Sequence, residues 1–215
     1  MRAVVYMMLK VLSFLCLFVC SALGYFTLPG KCPENVQLQS EFRLPDFFNK
    51  WYQTYHYSSD GQQLNNCSVV ELVTNSVGIY VNLSRVDRGL FHRYSFGRLE
   101  IPINIEEGAK LDVTFNFKDQ PRRLENRRYP FRVLTTDYNY YATVYTCEYS
   151  PLIDKHYIYV WLLSRNPILN VVSKELAIKP LSQIGVDPKK LVKDDLSKCT
   201  PKYYEDRKAE PTTFS

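Results

Sequence analysis

A period of two constrains this chain more than any other feature. Leu111-Asp112-Val113-Thr114-Phe115-Asn116-Phe117 is apolar at every odd position, and Ile79-Tyr80-Val81-Asn82-Leu83-Ser84 alternates in the same sense. Such alternation marks a strand with one buried face. Eight segments dense in Val, Ile, Thr, Tyr and Phe read as strands: residues 50–58, 68–74, 78–86, 92–101, 110–118, 128–135, 140–149 and 156–164. Turn chemistry separates them, as at Asp60-Gly61, Asn75-Ser76-Val77-Gly78, Asp87-Arg88-Gly89, Glu107-Gly108, Asp119-Gln120-Pro121, Asp137-Tyr138-Asn139 and Ser150-Pro151. Antiparallel strands joined by short turns predict an all-β, eight-stranded up-and-down barrel, which leaves no sheet edge exposed. A two-sheet sandwich satisfies the same pattern.

The two ends of the chain read differently. Arg2 and Lys10 flank a positive start, an apolar run follows from Val11 to Val19, and Ala22-Leu23-Gly24 supplies small residues before a cut. This predicts a secretory signal peptide over residues 1–24. The apolar run falls short of the roughly 20 residues of a membrane span, so no transmembrane anchor is expected. Residues 25–200 form the expected barrel domain, and 201–215 a polar tail. After Pro167 the period changes: Ala177, Leu181 and Ile184 share one helical face over 173–184, with Ser173 as the expected N-cap and Gly185 as the stop. Pro180 is expected to disturb the second half of that helix. Leu191-Val192 reads as a short last strand.

Removing the leader leaves Cys32, Cys67, Cys147 and Cys199, an even number that suits an oxidising compartment. Their spacings match neither a zinc knuckle nor a redox C-x-x-C, and three pairings are open. Asn66-Cys67-Ser68 and Asn82-Leu83-Ser84 are glycosylation sequons. A net charge of +5 is too small to argue for a nucleic-acid partner.

Three separated segments carry a resemblance. They are Asn49-Lys50-Trp51-Tyr52 at the first strand, Thr135-Thr136-Asp137-Tyr138-Asn139-Tyr140-Tyr141 after the sixth, and Leu162-Leu163-Ser164-Arg165 after the eighth. In that order and spacing they resemble the signature regions of the lipocalins. Gly30-Lys31-Cys32-Pro33, Thr146-Cys147-Glu148-Tyr149 and Leu191-Val192-Lys193-Asp194-Asp195-Leu196-Ser197-Lys198-Cys199 resemble the apolipoprotein D branch, with insect bilin-binding proteins and insecticyanin. The first signature normally has Gly where this chain has Asn49. Asn best replaces Gly at a positive φ, so the change is read as mild.

The resemblance implies the pairs Cys32–Cys147 and Cys67–Cys199. It also implies that Arg165 lies across the Trp51 indole at the closed end, a structural role shared by Thr136, Asp137 and Tyr138. It places Arg122, Arg123, Arg127 and Arg128 at the open mouth, where one or two are candidates to meet a ligand carboxylate. Within a lipocalin barrel, strand alternation sorts the lining. Tyr55 and Tyr57 are expected inside from the first strand, Ile79, Val81 and Leu83 from the third, and Leu99 from the fourth. Val113 and Phe115 follow from the fifth, Tyr129 and Phe131 from the sixth, Val144 and Thr146 from the seventh, and Tyr157 and Tyr159 from the eighth. Asn82 is then outside, free to carry a glycan.

That lining, aromatic and aliphatic with a few hydroxyls, suits a greasy, flat or chain-like molecule. The resemblance therefore implies a secreted, extracellular carrier of a small hydrophobic ligand such as a lipid, fatty acid, retinoid or sterol-like molecule. A biliverdin-type pigment carrier, or a protein binder acting through its loops, is the alternative. No cofactor or metal is expected beyond a bound lipid or bilin. Alternation turns His56 and His156 away from the cavity, and all four mature cysteines have implied partners. No enzyme chemistry is therefore expected.

Overall fold

The computed structural model describes residues 28–59, 66–87, 91–102, 108–116, 128–196 and 199 of the 215-residue chain. The expected leader, the tail, and Arg122, Arg123 and Arg127 lie outside them. Eight long strands form the wall: β2 (Asn49–Ser58), β3 (Asn66–Thr74), β4 (Ile79–Asp87), β5 (Phe91–Glu100), β6 (Lys110–Asn116), β7 (Arg128–Thr136), β8 (Tyr141–Ser150) and β9 (Lys155–Ser164). Each pairs antiparallel with the next, and β9 pairs back onto β2, so the sheet closes. Two short strands extend it: β1 (Leu28–Pro29) on β9, and β10 (Val192–Lys193) on β2. The barrel reading holds and the sandwich does not.

Alternation along the closed sheet makes two cores. The inner one packs Phe47, Trp51, Leu72, Val81, Leu99, Val113, Phe115, Val133 and Val144 inside the barrel. The outer one packs Leu134, Tyr145, Ile158, Val160 and Leu162 against Ala177, Leu181 and Ile184 of the C-terminal helical segment. That segment differs in detail from the sequence expectation. The α-helix α2 runs Val171–Ile178, and its cap is Asn170, whose side chain accepts the Ser173 backbone N–H at 2.8 Å. Ser173 is thus the third helical residue, buried rather than capping. Pro180 cannot donate an α-helical hydrogen bond, and the chain continues as a 3₁₀ helix over Lys179–Ile184, ended by Gly185 at φ +69°.

Both disulfides join Cys32 to Cys147 and Cys67 to Cys199. They bridge 115 and 132 residues of sequence. Closures of that length typically contribute about 2–4 kcal/mol each. One ties the N-terminal segment to β8; the other ties Cys199, past β10, to β3. Among the described residues, no helix is long and apolar enough to cross a membrane.

Candidate functional site

The closed end is built first by the backbone. Asn49 begins β2 at φ +73°, the left-handed conformation that Asn tolerates better than other side-chain-bearing residues. That turn follows the short helix α1 (Leu44–Phe47) and brings Phe47 against Trp51, with ring centroids 5.0 Å apart. Trp51 is fully buried and its Nε1–H donates to the Phe47 carbonyl at 2.9 Å. Arg165 covers the indole with its guanidinium carbon 3.7 Å from the ring centroid. It donates to four carbonyls: Tyr138 at 3.0 Å, Phe48 at 2.8 Å, Lys50 at 3.0 Å and Asp46 at 2.9 Å. Partial burial lowers the Arg165 pKa from its ordinary value, while the nearby Asp137 charge opposes the shift.

Thr136, Asp137 and Tyr138 turn the chain under this seal. Asp137 Oδ1 accepts the backbone N–H groups of Asn139, Tyr140 and Tyr141. Thr136 Oγ1 donates to the Tyr141 carbonyl and accepts the Tyr138 N–H. Tyr138 takes φ +66° and so presents its carbonyl to Arg165.

Above the seal lies a cavity of about 170 Å³. Of the 17 described residues that line it, 14 are apolar; the other three are Gln53, Ser68 and Arg85. Seven residues expected inside do line it: Val81, Leu83, Leu99, Val113, Phe115, Phe131 and Val144. Ile79 and Tyr129 pack against the same inner core, and Tyr129 meets the Phe115 ring edge-on at 5.9 Å. Thr146, Tyr157 and Tyr159 share the inner face of β8 and β9 with Val144 and Trp161, but sit further toward the open end. Tyr159 stacks on Trp161 at 6.4 Å, and Trp161 lies 5.6 Å from Phe131, so one wall is a run of three rings. The Thr146 hydroxyl is buried without a hydrogen-bond partner among the described residues.

Tyr55 and Tyr57 are corrected by the structure. A β-bulge between Gln53 and Tyr55 inserts one residue against β9, and an inserted residue reverses the parity of everything after it. Gln53 lines the cavity, but Tyr55 and Tyr57 turn outward into the outer core. Burial there raises the Tyr57 pKa. The same slip turns His56 to the inner face, opposite Trp161, against the sequence expectation. Its Nδ1–H donates to the Asp194 carboxylate at 3.1 Å, which also accepts from Gln53 Nε2 at 3.1 Å. Asp194 follows β10, and its backbone N–H donates to the Thr54 carbonyl. This buried group bolts the last strand onto the bulge. His156 does point outward, with Nδ1 2.9 Å from the Gly30 carbonyl.

Arg128 is also corrected. It begins β7 at the end away from the sealed base, but its side chain is on the outer face, paired with Asp112 and Glu100, and not turned toward the cavity. Asn82 lies outside as expected, beside the stacked rings of Tyr80 and Phe96, with its amide oxygen buried. Asn66 starts β3. Sequence reasoning missed the contributions of β3 (Ser68, Val70 and Leu72), because Val69-Val70 and Leu72-Val73 put apolar residues on both faces. It also missed Leu111, although alternation from Val113 points to it. Among the described residues, no cluster of His, Cys, Asp and Glu is arranged to hold a metal ion.

Comparison with known proteins agrees with this geometry. Residues 99–195 match the model of the lipocalin / cytosolic fatty-acid binding protein family. Insecticyanin-A of Manduca sexta is 29% identical over 84% of this chain and 94% of its own length. Apolipoprotein D of Mus musculus is 27% identical over 85% of this chain and 95% of its own. The bilin-binding protein of Pieris brassicae is 27% identical over 80% and 88%. The solved structure of Manduca sexta insecticyanin superposes with a TM-score of 0.69 at 27% identity, covering 81% of this chain and 91% of that one. Lobster apocrustacyanin A1 shares the fold, with a TM-score of 0.60 at 20% identity over 79% of this chain and 90% of its own. A closed eight-stranded barrel and a lipocalin match over residues 99–195 make this chain similar to the lipocalins, and to apolipoprotein D, insecticyanin and the bilin-binding protein among them.

Proposed function

We propose that the protein is a secreted carrier that sequesters a small hydrophobic ligand in its barrel. The observation that carries the reading is the lining itself: 14 apolar side chains surround the cavity, above a sealed base. A largely preformed apolar cup removes ligand surface from water at about 25 cal/mol per Å². Burying about 300 Å² would then contribute roughly 7 kcal/mol before association costs are subtracted. The ligand contacts we assign are Val81, Leu83, Leu99, Val113, Phe115, Phe131 and Val144, with Thr146, Tyr157 and Tyr159 toward the mouth. Secretion is supported by the leader-like first 24 residues and by two disulfides. The described lining is predominantly apolar, which supports carriage as the reading.

A second reading, a bilin carrier, is favoured by the aromatic wall of Phe131, Trp161 and Tyr159 and by the likeness to a bilin-binding protein. An absorption spectrum and a mass spectrum of the organic extract, both from protein purified from its secreting source, decide between them. A colourless protein yielding one lipid per chain is the expected result. Visible absorbance with an extracted tetrapyrrole would establish the bilin reading. No extractable ligand, with no quenching of Trp161 by added retinol, would overturn carriage altogether.

A further inference from the structure

We infer that the preferred ligand is an amphipathic carboxylic acid whose headgroup meets Arg85; this rests on the carrier reading above. Arg85 is the cation among the 17 described residues that line the cavity, 14 of which are apolar. Its position follows from β4, where Val81, Leu83 and Arg85 occupy alternate positions and all three line the cavity. Arg85 stands two residues from the open-end terminus of β4, whereas Trp51 and Phe47 lie at the sealed base. The cavity is therefore graded along its axis.

It is also graded across its width. Gln53, Ser68 and Arg85 stand on the neighbouring strands β2, β3 and β4. The aromatic run of Phe131, Trp161 and Tyr159 belongs to β7 and β9. The Gln53 amide is already held by Asp194, and Ser68 is a small neutral group. The Asp194 carboxylate behind Gln53 is taken up by Gln53 and His56, and the charged side chain among the described lining residues is Arg85.

A molecule that enters tail first leaves its head at the level of Arg85. A guanidinium in partly desolvated surroundings grips a carboxylate through paired N–H···O bonds, more strongly than it would in water. Arg85 has a partner of its own, and the five N–H donors of its side chain allow it to serve a neighbour and a ligand together. A neutral ligand of the same shape gains only the apolar burial. An alkyl ammonium of the same shape meets a like charge.

Matched pairs test this directly: retinoic acid against retinol, and dodecanoic acid against dodecanol, titrated into the folded, oxidised protein by calorimetry. The acid of each pair is expected to bind about tenfold tighter or better. Arg85→Gln should remove that preference while leaving the alcohols within about threefold of their original affinity. Arg85→Lys, which keeps the charge but loses the planar fork, should retain part of the preference, and it serves as the variant if Arg85→Gln does not fold. Equal affinity for acid and alcohol in the unaltered protein, or equal loss of both in Arg85→Gln, overturns the assignment and leaves the carrier reading standing. Binding of neither member of either pair overturns the carrier reading as well.

Discussion

Arg165→Ala should open the base of the barrel. In the native protein the side chain donates four hydrogen bonds, at 2.8 to 3.0 Å, to carbonyls from α1, from the start of β2 and from the β7–β8 turn. It also lies 3.7 Å over the fully buried Trp51 ring. Three stretches of chain thus share one cation. A hydrogen bond from a charged donor is worth about 1.5–3 kcal/mol, but these carbonyls are half-buried and water would recover part of the loss. About 1 kcal/mol each is a fair figure, with about 1 kcal/mol more for the cation–π contact. Against this stands the relief of desolvation, the same burial that lowers the Arg165 pKa. The net expectation is a loss of about 3–4 kcal/mol, which for a domain of this size lowers Tm by roughly 10 °C. Arg165→Lys keeps the charge but cannot reach four carbonyls as a planar fork, so it should lose about half as much. Near-ultraviolet circular dichroism on heating, with disulfides intact, reads both. A loss under about 1 kcal/mol for the alanine variant, or a lysine variant as stable as the original, would refute the reasoning.

Three further perturbations have expected outcomes. Asp194→Ala strands the buried Gln53 amide and His56 imidazole; it should cost about 3–5 kcal/mol and speed hydrogen exchange at Val192 and Lys193, and unchanged exchange there would mean β10 is held by other contacts. Gly97→Ala would bring a Cβ to 2.5 Å from Val113 Cγ1 and 2.8 Å from the Phe115 ring. Both side chains must then shift at the cavity wall, so the substitution should cost about 1–3 kcal/mol and weaken retinol binding, and wild-type affinity would show that the wall yields freely. Burial raises the pKa of Tyr57 and of Tyr145, the latter partly opposed by the Arg132 charge. The folded state therefore holds these protons more tightly than the unfolded chain, so their contribution is complete below about pH 10 and is lost as pH rises above it. Denaturant midpoints at pH 8 and 10.5 should fall less steeply in the Tyr57→Phe, Tyr145→Phe double variant, and identical slopes would exclude these groups as the cause.

The barrel was legible because each strand carries its own evidence. Alternation at Leu111–Phe115 and Ile79–Leu83 fixes which face is inward without reference to any neighbour. Asn49 was legible for a similar local reason, since a short polar side chain tolerates the left-handed turn it adopts. What alternation cannot see is a change of phase. Nothing in Gln53-Thr54-Tyr55 announces a bulge, because the extra residue answers to long-range partners. Thr54 Oγ1 donates to the Leu162 carbonyl and the Thr54 carbonyl accepts from Asp194, residues more than 100 positions away. One slip therefore sent Tyr55 and Tyr57 outward and brought His56 in. Where alternation ran undisturbed from Val81 through Leu83, the same rule carried Arg85 to the cavity wall. The reliable part of such a reading is thus the stretch between phase markers. In this chain that stretch includes the charged residue that distinguishes the cavity from an ordinary hydrophobic core.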